Sequence, residues 1–341
     1  MSFNPNDIGV ANGNFCGLPV DESDAEIVII PVPWDSTASY SRGTSEGPEA
    51  ILQASLQLDL YHHKYEKVYE RKIYMRPVSK RIQEFNERLG GLTSDYIEYL
   101  EEGHLLEDSP KFLNVLEEVA QIQNDIKDNL RKMANDLIAE GKKVCVLGGE
   151  HSTPLGLLEA MGDNYDSFGI LQIDAHADLR DAYEGFEQSH ASIMFNALKI
   201  PNLSNLVQVG IRDLCEDEVE IINSNDKVTT FYDWDLKTNQ FKGMNWHEQC
   251  EKIVAALPNN VFISFDIDGL QPNLCPNTGT PVPGGLSFEQ ATYLLQMLAD
   301  SDKNIIGFDL NEVAPGADEI NVIVGARMLM ELLLCTLHVT V

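Results

Sequence analysis

The sequence predicts an α/β protein built on a parallel sheet with helices on both sides. Three observations carry that expectation. Short apolar runs rich in β-branched residues recur along the chain and end in Gly or Asp, as strands buried on both faces do. Stretches of helical periodicity separate them, the alternation a parallel sheet requires. No run of about 18 apolar residues occurs, so a membrane span is not expected.

In chain order, "EIVIIPVP" (26–33) reads as the first strand. "SEGPEAILQASLQLDLYHH" follows as a helix opened by Pro48 near its first turn, where a missing N–H leaves no hydrogen bond unmade. Residues 60–112 mix helical stretches with Gly and Pro breaks and read as a helical excursion with an extra strand. A long helix from about 113 to 140 stops at Gly141. Strands are then expected at "KVCVLGG" (143–149), "FGILQID" (168–174), "LVQVG" (206–210), "VFISFDID" (261–268) and "NIIGFDL" (304–310). "TPLGLLEAMG", "WHEQCEKIVAALP" and "SFEQATYLLQML" read as helices, the last with Ser287 placed to cap it. With no repeat and no low-complexity linker, one domain over residues 1–341 is expected.

The chain carries 54 acids against 24 bases, a formal charge of −30. Such a field disfavours nucleic acid and anionic membrane surfaces and attracts small cations. Six cysteines (16, 145, 215, 250, 275 and 335) show no paired spacing, which suits a reducing cytoplasm better than a disulfide framework. The amino terminus has no basic patch followed by an apolar core, so a secretory signal is not expected.

Chemistry concentrates where the predicted strands end, the edge at which α/β proteins place ligands. The run at 143–149 leads into Glu150, His151 and Ser152; that at 168–174 leads through Asp174, His176 and Asp178, with Asp181 beyond. The run at 261–268 delivers Asp266 and Asp268, and that at 304–310 delivers Asp309 with Glu312 after it. Taken singly, each has an ordinary explanation: a strand-end Asp is usually a cap, and a lone His near an apolar run is usually hydrogen-bonded core. Together they form a set of nitrogen and oxygen donors without sulfur, which favours Mn²⁺ and similar ions. In extended chain, residues two apart share a side, so Asp-x-His-x-Asp and Asp-x-Asp can aim at one point. Six ligands with four negative charges suit two divalent ions better than one, and such pairs generate hydroxide at neutral pH.

"GGEHS" (148–152), "DAHADLRDAYEGFEQSHAS" (174–192), "SFDIDGLQPNLCPNTGTPVPGGLS" (264–287) and "GFDLNEVAP" (307–315) resemble, in order and spacing, the signature segments of the ureohydrolases. These are the dimanganese enzymes of the arginase and agmatinase family, and the likeness covers roughly residues 26–58 and 141–335. It implies a three-layer α/β/α fold around a mainly parallel sheet. It also implies one Mn²⁺ on His151, Asp174, Asp178 and Asp266, and a second on His176, Asp174, Asp266 and Asp268, with Ni²⁺ the alternative metal. By the same likeness His190 shuttles protons, Glu312 binds the guanidinium group and Thr280 lines the pocket. The products would be urea and an amine, and the protein a homo-oligomer, trimer or hexamer, with the 113–140 helix and the carboxy-terminal helix available for contacts.

The segment after the "DAHAD" run lacks the Asn and Ser-Gly-Asn that hold an amino-acid carboxylate in arginases and carries Asp181, Glu184 and Glu187 instead. That is similar to agmatinases, so agmatine, cleaved to putrescine and urea, is the expected substrate. Arginine, guanidinobutyrate, guanidine and formiminoglutamate are the alternatives within the family, and a non-catalytic metal-binding protein is the alternative outside catalysis. The chain departs from the family pattern at Glu150, Ala191, Ser192, Gln271, Cys275 and Asn277, and 60–112 lacks the usual Asp-Gly-Asp strand.

Overall fold

The computed structural model describes residues 3–338. The chain enters the sheet with β1 (Ile27–Val32), whose six residues are all buried, then forms α1 (Gly47–Ser55), with Pro48 in its first turn. A two-stranded hairpin, β2 (Tyr61–His62) and β3 (Glu66–Lys67), precedes β4 (Ile73–Met75) at one edge of the sheet. Then come α2 (Lys80–Glu101) and α3 (Pro110–Ala139). Apolar residues on α3 at 112, 115, 119, 122, 130 and 137 keep one stripe buried. The helix ends where Gly141 takes a φ of +81°.

Next follow β5 (Lys143–Gly148), α4 (Leu155–Asn164), β6 (Phe168–Ile173), α5 (Ile193–Ala197), β7 (Leu203–Ile211), α6 (Glu216–Ser224), β8 (Val228–Tyr232), α7 (Asp233–Phe241) and α8 (Trp246–Ala255). The chain closes with β9 (Asn260–Asp266), α9 (Phe288–Ala299), β10 (Asn304–Asn311) and α10 (Ile320–Thr336). The Ser287 hydroxyl caps α9 by accepting the Gln290 N–H, and Gln290 returns the bond to the Ser287 N–H.

Among the described residues the main sheet has eight strands in the order β4-β1-β5-β10-β9-β6-β7-β8. Every pairing is parallel. Successive residues of a strand feed opposite layers. On β5, Cys145 and Leu147 pack with α1, α8, α9 and α10, while Val144 and Val146 pack with α2, α3, α4 and α5. The result is the three-layer α/β/α arrangement expected. Truncating a fully enclosed residue such as Phe262 to Ala would cost about 3–5 kcal/mol.

Several expectations need correction. The edge strand β8 was not anticipated, because "VTTFY" is half exposed and carries no continuous apolar run. Residues 80–101 form one unbroken helix despite Gly90 and Gly91, and α1 ends at Ser55 rather than running on to His62 and His63. The strands at 168 and 261 end at Ile173 and Asp266, so most of the acids lie in turns beyond them. The carboxy-terminal helix is buried along nearly its whole length, with Arg327 exposed, and leaves little surface for another subunit.

The topology places the site. The last two strands, β9 and β10, fill the gap between β5 and β6. Four central neighbours, β5-β10-β9-β6, therefore present their carboxyl ends side by side where the strand order reverses.

Candidate active site

His151 leaves the end of β5, and its Nδ1 faces Asp174 Oδ2 at 3.0 Å, Asp178 Oδ2 at 3.1 Å and Asp266 Oδ2 at 3.3 Å. His176 presents Nδ1 to Asp268 Oδ2 at 3.0 Å and to Asp174 Oδ1 at 3.7 Å. Asp174 is thus shared, one oxygen toward each histidine. All six residues expected to hold metal come together, and His151, Asp174, Asp178, Asp266 and Asp268 are buried.

Local backbone, not strand alternation, aims them. His176 N–H donates to Asp174 Oδ1 at 2.7 Å, Asp268 N–H to Asp266 Oδ1 at 2.8 Å, and Ala175 N–H to Asp268 Oδ1 at 3.0 Å. Asp178 and Glu312 sit at φ +55° and +63°, a left-handed conformation that residues with side chains adopt at a cost and that concentrates at functional sites. The Asp178 carbonyl accepts the N–H groups of Met194 and Phe195 at the start of α5, which fixes that turn.

A relay behind His151 was not found from sequence. His151 Nε2 lies 2.8 Å from Ser264 Oγ, and Ser264 donates to Asp309 Oδ1 at 3.1 Å. Asp309 also accepts the Phe265 N–H. Nε2–H donating along this line leaves the Nδ1 lone pair directed at the acids, as a ligating imidazole needs. The available signal was Ser264 itself, two residues before Asp266 on one strand.

The donor set fits a pair of cations. His151 Nδ1 is buried without a hydrogen-bond partner, although three carboxylate oxygens crowd it. Burial and Asp174 push the Asp178 carboxyl up to about 7; burial, Asp268 and Asp174 push Asp266 well above the carboxylate range. Burial opposes protonation of His176, yet Asp268 and Asp174 outweigh it and raise the imidazole to about 12. Burial pushes Asp174 up, but the two histidines outweigh it and hold that carboxyl below the usual range. In the metal-free chain protons supply the positive charge that this cluster demands. Two overlapping groups, His151-Asp174-Asp178 and Asp174-His176-Asp268, have ligand atoms close enough for one ion each.

His190 lines a cavity of about 150 Å³ with His176, Asp178, Tyr183, Thr280, Arg180 and Asp213. Its Nδ1 donates to the Thr37 carbonyl at 3.1 Å, and its Nε2 lies 3.2 Å from Ser39 Oγ. Burial and the neighbouring His176 lower the imidazole to about 4. Glu150, longer than the Asp the family pattern has there, accepts from the Thr37 N–H and hydroxyl. Glu312 does not line the cavity. It is 7% exposed, accepts the His151 N–H at 2.8 Å, and a Cβ on Gly279 would lie 3.1 Å from its Oε2.

The acidic surround inferred from Asp181, Glu184 and Glu187 is not the pocket's. Asp181 is 81% exposed beside Lys199, and none of the three lines the cavity. Beside Asp178 its acids are Asp213 and Glu218, and Arg180 also lines it, 3.8 Å from Glu218 and 4.6 Å from the Tyr183 ring centre. The Gln271 backbone ties two loop segments, its N–H donating to the Leu286 carbonyl and its carbonyl accepting the Leu274 N–H. All six cysteines are unpaired, and no helix of the described residues is long and apolar enough to cross a membrane.

Known proteins give this arrangement a context. The N(1)-aminopropylagmatine ureohydrolase of Synechocystis sp. is 30% identical over 296 residues, covering 86% of this chain and 83% of the relative. The agmatinase of Neisseria meningitidis serogroup C is 30% identical over 334 residues, 94% and 92% of the two chains. The crystal structure of agmatine ureohydrolase of Thermoplasma volcanium superposes with a TM-score of 0.73 over 96% of this chain and 95% of that one, at 23% identity, a likeness of fold. The Arginase family model matches residues 25–335, which takes in every strand of the main sheet and every residue that faces the cluster. The chain therefore belongs to the arginase family.

Proposed function

We propose that this arginase-family hydrolase cleaves the guanidino group of a small cation to urea and an amine, with agmatine, giving putrescine, as the substrate. The observation that carries the reading is the cluster of two histidines and four aspartates, of which His176 and Asp178 line one cavity with His190. His151, Asp174, Asp178 and Asp266 would hold one Mn²⁺, and His176, Asp174, Asp266 and Asp268 the other. When bound, such a pair supplies a hydroxide nucleophile at neutral pH.

The remaining chemistry belongs to the protein. A guanidinium carbon is a poor electrophile, because resonance spreads its charge, so orientation matters more than usual. Glu312, held by the His151 N–H outside the cavity lining, would take the guanidinium group, as the family resemblance implies, once the substrate reaches past that lining and the Glu312 carboxyl, raised by burial and Glu150, gives up its proton. His190 enters the reaction neutral, takes at Nε2 the proton that the added hydroxyl gives up as the urea C=O forms, and delivers it to the amine nitrogen as its C–N bond breaks, while Nδ1 stays on Thr37. Thr280 borders the same space. Asp213, 67% exposed and 4.0 Å from His176, suits a distal ammonium, while Glu218 offsets Arg180. The names of the two relatives support a polyamine-type substrate. A cytoplasmic homo-oligomer, trimer or hexamer, accompanies this reading, and light scattering on the eluted protein tests the assembly.

The deciding experiment measures urea release from agmatine, N(1)-aminopropylagmatine, arginine, guanidinobutyrate and guanidine, after reconstitution with Mn²⁺ or Ni²⁺. Turnover of agmatine with Mn²⁺ is expected. Turnover of carboxylate-bearing substrates alone sinks the agmatine assignment, with Arg180 the natural anchor for the carboxylate.

A further inference from the structure

We propose that α2 is a positioning helix that sets the orientation of His190 from two sides of the pocket. The first side runs through the loop after β1. Asn86, buried on α2, accepts the Asp35 N–H and the Ser36 hydroxyl, each at 2.8 Å, and donates to Asp35 Oδ1 at 2.9 Å. Asp35, 1% exposed, also takes the Arg42 guanidinium and the N–H groups of Gly43 and Ser45. That knot fixes the backbone at Thr37 and Ser39, the residues on the two nitrogens of His190.

Gly90 makes the knot fit. A Cβ there would lie 1.6 Å from Arg42 Nη1, so the guanidinium rests directly on the helix. Gly91, one residue on, has nothing within 4 Å of such a Cβ. The second side runs through Tyr96, whose hydroxyl donates to the Glu184 carbonyl at 2.8 Å and whose ring meets Phe186 edge-on. This holds the 183–186 turn, and Tyr183 meets the His190 ring edge-on at 6.1 Å.

The inference rests on the proposed function for its kinetic consequence but not for its geometry. Its test pairs Gly90→Ala with Gly91→Ala, which gain the same helix propensity and differ only in Arg42. Tyr96→Phe, nearly isosteric, tests the second side. Metal content, kcat and KM are measured for each. The His190 Nδ1–H signal of ¹⁵N-histidine-labelled, metal-free protein reports the ring independently of activity.

Gly90→Ala should lower kcat by about 10-fold or more with KM within about twofold. Metal content should stay unchanged, and the Nδ1–H signal should shift or broaden. Gly91→Ala should match the parent in every measurement, and Tyr96→Phe should show a smaller loss of the same kind. A Gly90→Ala protein that matches Gly91→Ala in kcat and His190 signal, with Tyr96→Phe also silent, overturns the proposal. If the parent releases urea from no guanidino compound, the functional reading fails, and the His190 signal alone decides the positioning role.

Discussion

The metal-facing turns and the pocket rim converge on the same cavity but are built differently. Within the turns, bonds between residues two apart aim Asp174 and Asp266, as His176 N–H on Asp174 and Asp268 N–H on Asp266 show, while Ala175 N–H on Asp268 reaches from one turn to another. On the rim, the ties join residues 51, 88 and 153 apart, from Asp35 to Asn86, Tyr96 to Glu184 and Thr37 to His190. The two regions also differ in charge. Burial pushes Asp35 up, but Arg42, Asn86 and Gly43 outweigh it and hold its carboxyl below the usual range, whereas Asp178 and Asp266 are raised. Asp35 on the rim is electrostatically satisfied by its own neighbours. The cluster is satisfied by protons or by cations from outside, so it binds while the rim supports.

That contrast can be broken most directly at Asp268. Asp268→Ala should lose metal by more than the ~100-fold that removal of an outer partner costs, and activity with it. Unchanged turnover would sink the two-metal reading. His190→Ala should retain its metal and lose about 10²–10⁴-fold in kcat. Metal analysis beside kinetics separates it from the ligand variants, and a parallel loss of metal would place His190 in the cluster rather than outside it.

Ser264→Ala cuts the relay behind His151 and leaves Asp309 short of a donor. Metal affinity should fall about 10–100-fold. An unaltered affinity by competition with a chelator would show that Nδ1 needs no such support.

The charge contrast has its own test in metal-free protein. The folded pKa values of Asp178 and Asp266 lie above the unfolded value of about 4, so their contribution to stability falls as pH rises from about 4 through 7. His151 and His176 are raised as well, and the stability they add is present below about 6.5 and lost as pH climbs toward their folded values. Asp174 and Asp35, lowered, act in the opposite sense but only below about 4. With chelator present, the Tm should drop by several degrees between about pH 5.5 and 7.5, with His190, lowered to about 4, opposing the drop below about 6.5. Added divalent ion should shrink the drop to the share of Glu150 and Glu184, which burial raises to about 7 outside the cluster. A rising Tm across that interval contradicts it. The smallest effect is expected at Asp181, 81% exposed. Asp181→Asn should leave kcat/KM within error, and a clear change would return that acid to the pocket.

Much of this was legible before any coordinates. The strands that bear the ligands, the long helix ended by Gly141 and the Ser287 cap follow from period and turn chemistry. These are local properties of the chain. The half-exposed strand at 228–232 escaped because a strand at the sheet's edge buries too little to leave an apolar run. Asp181, Glu184 and Glu187 misled because closeness in sequence to Asp178 does not survive the left-handed turn at Asp178.

The sequence by itself determined the ligand types, their grouping into three turns and the parallel alternation that sends those turns to one edge. Short spacings and burial patterns suffice for that. Only the tertiary structure decided that β9 and β10 slot between β5 and β6 and so bring the groups together. It also decided that His151 turns Nδ1 toward the acids with Ser264 and Asp309 behind it, and that α2 reaches the rim through Asn86, Gly90 and Tyr96. Those features are contacts between distant segments, fixed when packing closes the layers, and no local pattern in the chain encodes which partners will meet.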